Sequence, residues 1–311
     1  MNNSSKTTGT KSKSTSPRQN SFFDSFSIET IRRFSVPTPE KLYHYTSSEG
    51  LISITKHHSL RFSDVRFLND ASEFQYGVKI ANHVLNNQKK PSLKHSDEVI
   101  EKIINNLREA SFHFTPIIFC MSATDNLLNQ WRDYGKDVVP YSIEFHVPEI
   151  LKLGAYNFPF LLCNIEYDEE IQHSMMMDVI DRLSQKAVEI IEKDHLDEAQ
   201  LEELYRAYAV ELLIIASRLK HPSFSAENEW RMICFKKNID ELGVKREYRS
   251  SALGAIPYYT WGRKDNGKLP ITNVTIGPSV YPIISEIALK GLLQDHGYSP
   301  NTKYSIIPIR R

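Results

Sequence analysis

Net charge, membrane-length apolar runs and clustered cysteines are all missing from this sequence of 311 residues. Its 38 Lys and Arg balance 38 Asp and Glu, so no global field favours nucleic acid, an anionic membrane or acidic partners, and any basic patch must be local. No apolar run approaches the roughly 20 residues that crossing a bilayer requires, and the N-terminus carries no hydrophobic signal core. A cytoplasmic protein with no membrane partner is the expectation. The three cysteines, Cys120, Cys163 and Cys234, lie far apart in apolar settings (IIFCMS, FLLCNI, RMICFKK). Such spacing does not suit zinc, and buried free thiols are expected instead. No metal is expected.

Familiar catalytic signatures are missing as well. The chain has no glycine-rich P-loop, no dinucleotide G-x-G-x-x-G, no H-E-x-x-H and no G-x-S-x-G. His57 and His58 are adjacent, so on a helix their rings diverge and cannot readily share a metal.

What is present suffices for a large core: 41% of residues are hydrophobic, with 15 Phe and 15 Tyr. The first 35 or so residues are the exception. Rich in Ser, Thr, Asn and Lys, they hold six basic and two acidic residues and cannot offset ordering entropy by burial. Residues 1–36 read as a disordered basic tail, either merely solvated or in contact with nucleic acid, and residues 37–311 as a single domain.

Within that domain, residues 42–45 read as a strand, and Thr46-Ser47-Ser48-Glu49 has capping-box spacing for a helix running through Ile54. LRFSD is another strand. Asp70 and Glu73 repeat the capping spacing ahead of a helix lined by Phe74, Val78, Ala81 and Leu85, and a further helix spans about 97–110. PIIFCMS, YSIEF, FLLCNIEY, EWRMICF, IPYYTW, NVTIGP and YSIIPI read as strands, DNLLNQWRDYG as a short helix, and 284–293 as a late helix. Between about 172 and 220 the pattern predicts a helical hairpin broken at KDHLD, an insertion packed on a β-rich core. Helices and strands without regular βαβ alternation argue for α+β.

Four polar-aromatic clusters sit at predicted strand ends: KLYHYTS; RFSDVRFLNDASEF; CMSATDNLLNQWRDYG; and KHPSFSAENEWRMICF. In the first, alternation puts His44 and Thr46 on one face and Tyr43 and Tyr45 on the other, giving a pocket half and a packing half. In the last, Glu229 opens an otherwise apolar strand, with Glu227 two residues before it and Arg231 two after. A carboxylate so placed must be paired, solvated or functional.

The order of these clusters, with TIGP late in the chain, resembles the bacterial family catalogued as domain of unknown function 2971. The resemblance runs over most of 42–309 and leaves out the tail and the hairpin. That family is in turn distantly similar to the ADP-ribosyltransferase superfamily, whose members bind NAD in a cleft between two antiparallel sheets. They use a His or Arg on the first strand and a Glu on a later one. The resemblance implies an ADP-ribosyltransferase-like α+β fold of split antiparallel sheets. It implies His44 as the first-strand histidine, donating to a nicotinamide-ribose hydroxyl, and Glu229 as the catalytic carboxylate. It further implies Tyr45, Thr46, Ser63, Asn69, Trp131, Tyr134 and Arg231 as NAD contacts, with Trp131 or Tyr134 stacking on nicotinamide. The implied activity is mono-ADP-ribosyl transfer to a protein or nucleic acid, or NAD hydrolysis. A toxin or phage-defence setting, with an inhibitor or antitoxin partner, would suit it.

The residues also fit plainer roles. His44 suits a satisfied structural histidine, Trp131 a core residue, and Asn69-Asp70 a helix cap. Arg231 can pair with either Glu227 or Glu229, Arg66 can pair with Asp70, and Glu227 can replace Glu229. A non-catalytic nucleotide- or protein-binding module is the alternative. It requires binding without nicotinamide release.

Overall fold

The computed structural model describes residues 26–68, 72–87, 96–113, 115–134, 139–152, 154–194, 196–251 and 253–307. In chain order these form α1 (Phe26–Arg33), β1 (Lys41–Thr46), α2 (Ser48–His57), β2 (Ser59–Asp64), α3 (Ser72–Asn87), α4 (Ser96–His113) and β3 (Pro116–Ser122). Next come α5 (Leu128–Tyr134), β4 (Tyr141–His146), α6 (Val147–Ile150), β5 (Leu161–Asn164), α7 (Glu169–Asp194) and α8 (Glu198–Ala216). The last third holds β6 (Glu229–Phe235), α9 (Lys236–Glu241), β7 (Arg246–Ser251), β8 (Gly254–Gly262), β9 (Ile271–Ile276), α10 (Pro282–Asp295) and β10 (Asn301–Tyr304). The fold is mixed α+β. Among the described residues, ten strands make one mostly antiparallel open sheet, in which only the β10–β9 pair runs parallel.

The sheet branches at β3. One edge of β3 pairs with β6 along its whole length, and β6 carries β5 on its far side. The other edge is shared: β2 meets β3 at Ser63↔Ile118 and Asp64↔Ile117, whereas β1 meets it only at Tyr43↔Ser122. β1 and β2 therefore diverge along β3, and β4, β9 and β10 follow β1 while β8 and β7 follow β2. Between the two contacts, among the described residues, no strand pairs with this edge of β3 at Phe119, Cys120 and Met121, a gap in the ladder.

Alternation along β3 and β6 divides the core in two. Ile118, Ile233 and Phe235 face the helical layer, where they meet Val78, Leu107, Met176, Leu212 and Ile215. Ile117, Phe119, Met232 and Cys234 face the other way, into a cluster with Phe62, Phe145, Trp261 and Leu289. The apolar stripe of the α7–α8 hairpin packs against the sheet and supplies much of the first cluster. Gly77 lets α3 lie against α8; a Cβ there would stand 2.3 Å from the Ala216 carbonyl oxygen.

Several sequence expectations need correction. The tail was expected to reach residue 36, but Phe26–Arg33 is a helix with Ile28 and Ile31 buried. It is held by Thr30 Oγ1 donating to Asp178 (2.6 Å), and by Arg182 donating to Glu29 (2.6 Å) and to the Phe26 carbonyl (2.9 Å). The buried Arg218 donates to the carbonyls of Ile31 and Phe34 at the end of this helix, where an α-helix leaves carbonyls unpaired. Burial of two isoleucines and these long-range bonds outweighs the polar composition around them. The basic residues before 26 lie outside the described residues. At α2 the N-cap is Ser47, whose Oγ accepts from Gly50 N, rather than Thr46, which ends β1. The last strand covers Asn301–Tyr304, ahead of the apolar IIPI run.

Candidate functional site

The gap in the sheet is where the first cluster lands. His44 Nδ1 lies 2.9 Å from the Cys120 carbonyl oxygen, one of the backbone groups that the divergence of β1 and β2 leaves without a strand partner. A carbonyl only accepts, so Nδ1 carries the proton and Nε2 of the neutral ring carries a lone pair. Burial pushes the His44 pKa down to about 4, the bond to Cys120 opposing this only in part. At neutral pH His44 is therefore an uncharged acceptor at Nε2, the reverse of the donor expected from the resemblance.

Two adjoining cavities meet at this histidine. The first, of about 240 Å³, is bordered by Tyr43, Tyr45, Ser122, Lys220, Glu227 and Glu229. The second, of about 320 Å³, opens into the gap between β1 and β2 and is bordered by Thr46, Ser47, Gly50, Arg61, Ser63 and Arg249. His44, Leu68, Cys120 and Tyr134 are walls of both. Sheet register explains the first cavity: Tyr43 lies opposite Ser122 and Ser122 opposite Glu229, so the three side chains share one face in one row.

Glu229 is 6% exposed and saturated with cations. Arg231 Nε donates to Oε1 at 2.6 Å and Arg231 Nη2 to Oε2 at 3.0 Å, while Lys220 Nζ reaches Oε2 at 3.0 Å. Burial alone would raise the Glu229 carboxyl; Arg231 and Lys220 reverse this and hold its pKa at about 2. Lys220 also donates to Glu227 at 2.6 Å, and the Glu227 side chain is 20% exposed. Simple strand alternation does not relate the two glutamates, because Asn228 between them adopts a left-handed conformation (φ 44°). Their common cation draws them together. The Tyr167 hydroxyl accepts from Glu229 N at 3.1 Å, and Ser122 Oγ donates to the Glu227 carbonyl at 2.7 Å, fixing the turn before β6.

The residues expected at the site are distributed unevenly. His44, Tyr45, Tyr134 and Glu229 border the first cavity, and His44, Thr46, Ser63 and Tyr134 border the second. Tyr43, assigned to packing by alternation, faces the first cavity with Glu229. The Tyr45 hydroxyl is engaged, donating to the Thr124 carbonyl and accepting from Leu127 N, both at 2.9 Å. Trp131 is wholly buried, edge-on to Tyr45 at 4.9 Å with Nε1 donating to Asn126, and borders neither cavity. Arg231 borders neither and acts through Glu229. Asn69 and Asp70 lie outside the described residues. Arg66 pairs with Asp64, its Nη2 2.6 Å from Oδ2. Burial raises the Tyr134 hydroxyl pKa, and the nearby Cys120, Glu229 and Glu227 raise it further, so it stays a neutral phenol. Lys220 and Arg249 carried no assigned role in the sequence. Lys220 lay within a polar cluster, but Arg249 sits on a strand with no apolar alternation to reveal it. Among the described residues, no three His, Cys, Asp or Glu side chains converge as metal ligands would.

Comparison with known proteins agrees with one part of the expected resemblance. Residues 130–232 match the model of DUF2971, a family of proteins of unknown function. The matched span carries Tyr134, Lys220, Glu227, Glu229 and Arg231, which make one wall of the first cavity and its ion-pair network, and it includes the helical hairpin. His44 and the second cavity's Arg61 and Arg249 lie outside the DUF2971 match. No curated protein matches the chain.

Proposed function

We propose that the chain cleaves the nicotinamide–ribose bond of NAD, as a mono-ADP-ribosyltransferase acting on a protein or nucleic acid or as an NAD glycohydrolase. The observation that carries this reading is that His44 and Glu229, from strands far apart in the chain, border one cavity beside the gap in the sheet. An ADP-ribosyltransferase-like architecture, with NAD held between diverging strands, is part of the same proposal. The divergence of β1 and β2 along β3 supports it.

In this mechanism the neutral Nε2 of His44 accepts a hydrogen bond from a ribose hydroxyl and fixes the sugar. Tyr134, partly buried between the cavities and bordering both, stacks on the nicotinamide ring, the role that the fully buried Trp131 cannot fill. As the C1′–N bond breaks, its electron pair leaves on the pyridinium nitrogen, and nicotinamide departs neutral without needing a proton. Positive charge grows on the ribose, which the ionised Glu229 stabilises from a position set by Arg231 and Lys220. The acceptor then bonds to C1′ and gives up its proton to a carboxylate, for which the more exposed Glu227 is the better placed.

The test is nicotinamide release from NAD by the purified wild type, by His44→Asn and by Glu229→Gln, with folding checked by circular dichroism. His44→Asn keeps a donor for Cys120 and removes the acceptor at Nε2, together with the ring that packs on Phe119 at 4.3 Å. Release by the wild type and its loss in folded His44→Asn is the expected result. No release by the wild type, with cell lysate supplied as a source of acceptors, would discard cleavage. One observation favours the second reading, a binding module: both Glu229 oxygens are already engaged by cations. That reading requires NAD or a related nucleotide to bind without nicotinamide release.

A further inference from the structure

Among the described residues, the two arginines that border the second cavity form no salt bridge with the protein's own carboxylates, although Glu49 borders the cavity as well. Alternation on β2 buries Leu60 and Phe62 on one face and turns Arg61 and Ser63 to the cavity on the other. Arg249 enters from β7, two strands away across β8. Arg61 lies over the Tyr258 ring at 5.0 Å, a contact that holds the guanidinium plane without neutralising it. Among the described residues, neither arginine has a carboxylate within ion-pair distance, although buried or half-buried Arg218, Arg231 and Arg182 are all bonded to carboxylates or carbonyls. The nearest acids act only at longer range: Glu49 on Arg249, and Glu247 on Arg61. Glu247 is itself bonded to Tyr258 and Thr260. Burial first, and the repulsion of Arg61 second, weaken the proton affinity of Arg249. Two like charges held together in a partly desolvated cavity cost stability, and a bound anion would remove that cost.

The rest of the wall is mixed: Glu49 opposes an anion and Ile54, Phe67, Leu68, Ile118 and Phe119 are apolar, but hydroxyl-bearing residues are numerous. Hydroxyls of Thr46, Ser47, Ser53, Ser63 and Ser250 surround the arginines. The first turn of the ten-residue α2 enters the same cavity, with Gly50 there allowing its backbone to approach Thr46. Arginine forks match phosphate oxygens two at a time, and a pair of them matches a diphosphate better than a single phosphate.

We propose that this second cavity is a diphosphate subsite in which Arg61 and Arg249 clamp the phosphoanhydride of a nucleotide whose remaining half reaches past His44 and Tyr134 into the first cavity. The anion site stands on its own geometry. Only the identity of the attached group rests on the NAD reading, and if that reading holds the nicotinamide end lies toward Glu229 and the diphosphate toward Arg249.

The experiment is calorimetric titration of the full chain with inorganic phosphate, inorganic pyrophosphate and ADP-ribose at fixed ionic strength, on the wild type, Arg61→Gln and Arg249→Gln. Pyrophosphate should bind more tightly than phosphate, ADP-ribose should compete with it, and each substitution should weaken pyrophosphate binding at least tenfold. In the absence of ligand, Arg249→Gln should raise the melting temperature, because it removes one of two repelling charges; a merely structural arginine would lower it. No pyrophosphate binding by the wild type, or equal binding by folded variants, overturns the proposal. Nicotinamide release measured on the same preparations separates the two ideas. Pyrophosphate binding without release keeps the subsite and discards cleavage; release that survives Arg249→Gln, without pyrophosphate binding, keeps cleavage and discards the subsite.

Discussion

His44 Nδ1 and the Cys120 carbonyl oxygen, 2.9 Å apart, close the point at which the sheet divides. The histidine side chain takes the place of a backbone partner that neither β1 nor β2 supplies, and this bond sets its tautomer.

A pH dependence follows from the burial of that ring, which the bond offsets only in part. The folded pKa of His44 is lowered to about 4 from an ordinary 6.5. Between those values the unfolded chain binds a proton that the folded protein does not, so falling pH favours unfolding. Stability should be constant with respect to this group above pH 6.5 and drop by about 2–3 kcal/mol on going to pH 4. Glu229, lowered to about 2, adds a further loss only below about 4.5. Urea unfolding of the wild type and His44→Asn at pH 7 and pH 5 checks this: the difference between the two pH values should shrink in the variant. An equal difference would remove His44 as its source.

Glu229 and Glu227 share a cation but should differ sharply when neutralised. Glu229→Gln takes the buried Arg231 from its carboxylate and leaves Lys220 with Glu227 alone, and should cost about 3–5 kcal/mol. Glu227→Gln leaves Lys220 paired with Glu229 and should cost about 1 kcal/mol or less, since its side chain is 20% exposed. Chemical denaturation of both variants measures the contrast. Equal costs would mean that the network is not organised around Glu229.

Gly50 is required by close approach. A Cβ at this position would stand 1.9 Å from Thr46 Oγ1 and 3.2 Å from Thr46 Cβ. Gly50→Ala should destabilise by about 1–3 kcal/mol, the usual cost of overpacking. Adding Thr46→Ala removes the hydroxyl and should restore part of that loss, so the double-mutant cycle should give a coupling of at least about 0.5 kcal/mol. Additive effects would contradict the contact.

The helix Phe26–Arg33 should behave as part of the domain. Ile31→Ala should cost about 2–4 kcal/mol, as for other fully buried isoleucines. Replacing Arg218 by Met should free the end of the same helix, seen as faster amide exchange at residues 26–34 by mass spectrometry. Unchanged exchange there would show that the buried guanidinium does not hold it.

Much of the local structure was legible. The i, i+3, i+4 apolar spacing of Phe74, Val78, Ala81 and Leu85 predicts a helix buried on that face, and all four are buried in α3. The apolar runs PIIFCMS and EWRMICF predict the two central strands, because only a strand covered on both faces tolerates so little alternation. Failures occurred where partners far along the chain override local composition. A polar segment became α1 because Arg218 and Arg182 capture its ends, and Arg246–Ser251 became a strand by pairing with β8 despite its charge.

The sequence by itself determined most of the helices and strands, though not α1 or β7, and singled out Glu229 as a carboxylate that an apolar strand cannot bury alone. Only the tertiary structure decided what Glu229 pairs with, that His44 spans a gap between β1 and β2, and that Arg61 and Arg249 share a cavity. The reason is physical. Periodicity records how each residue divides between core and water within a few turns of chain, whereas strand order and register are set by burial summed over the whole sheet, which no local pattern carries.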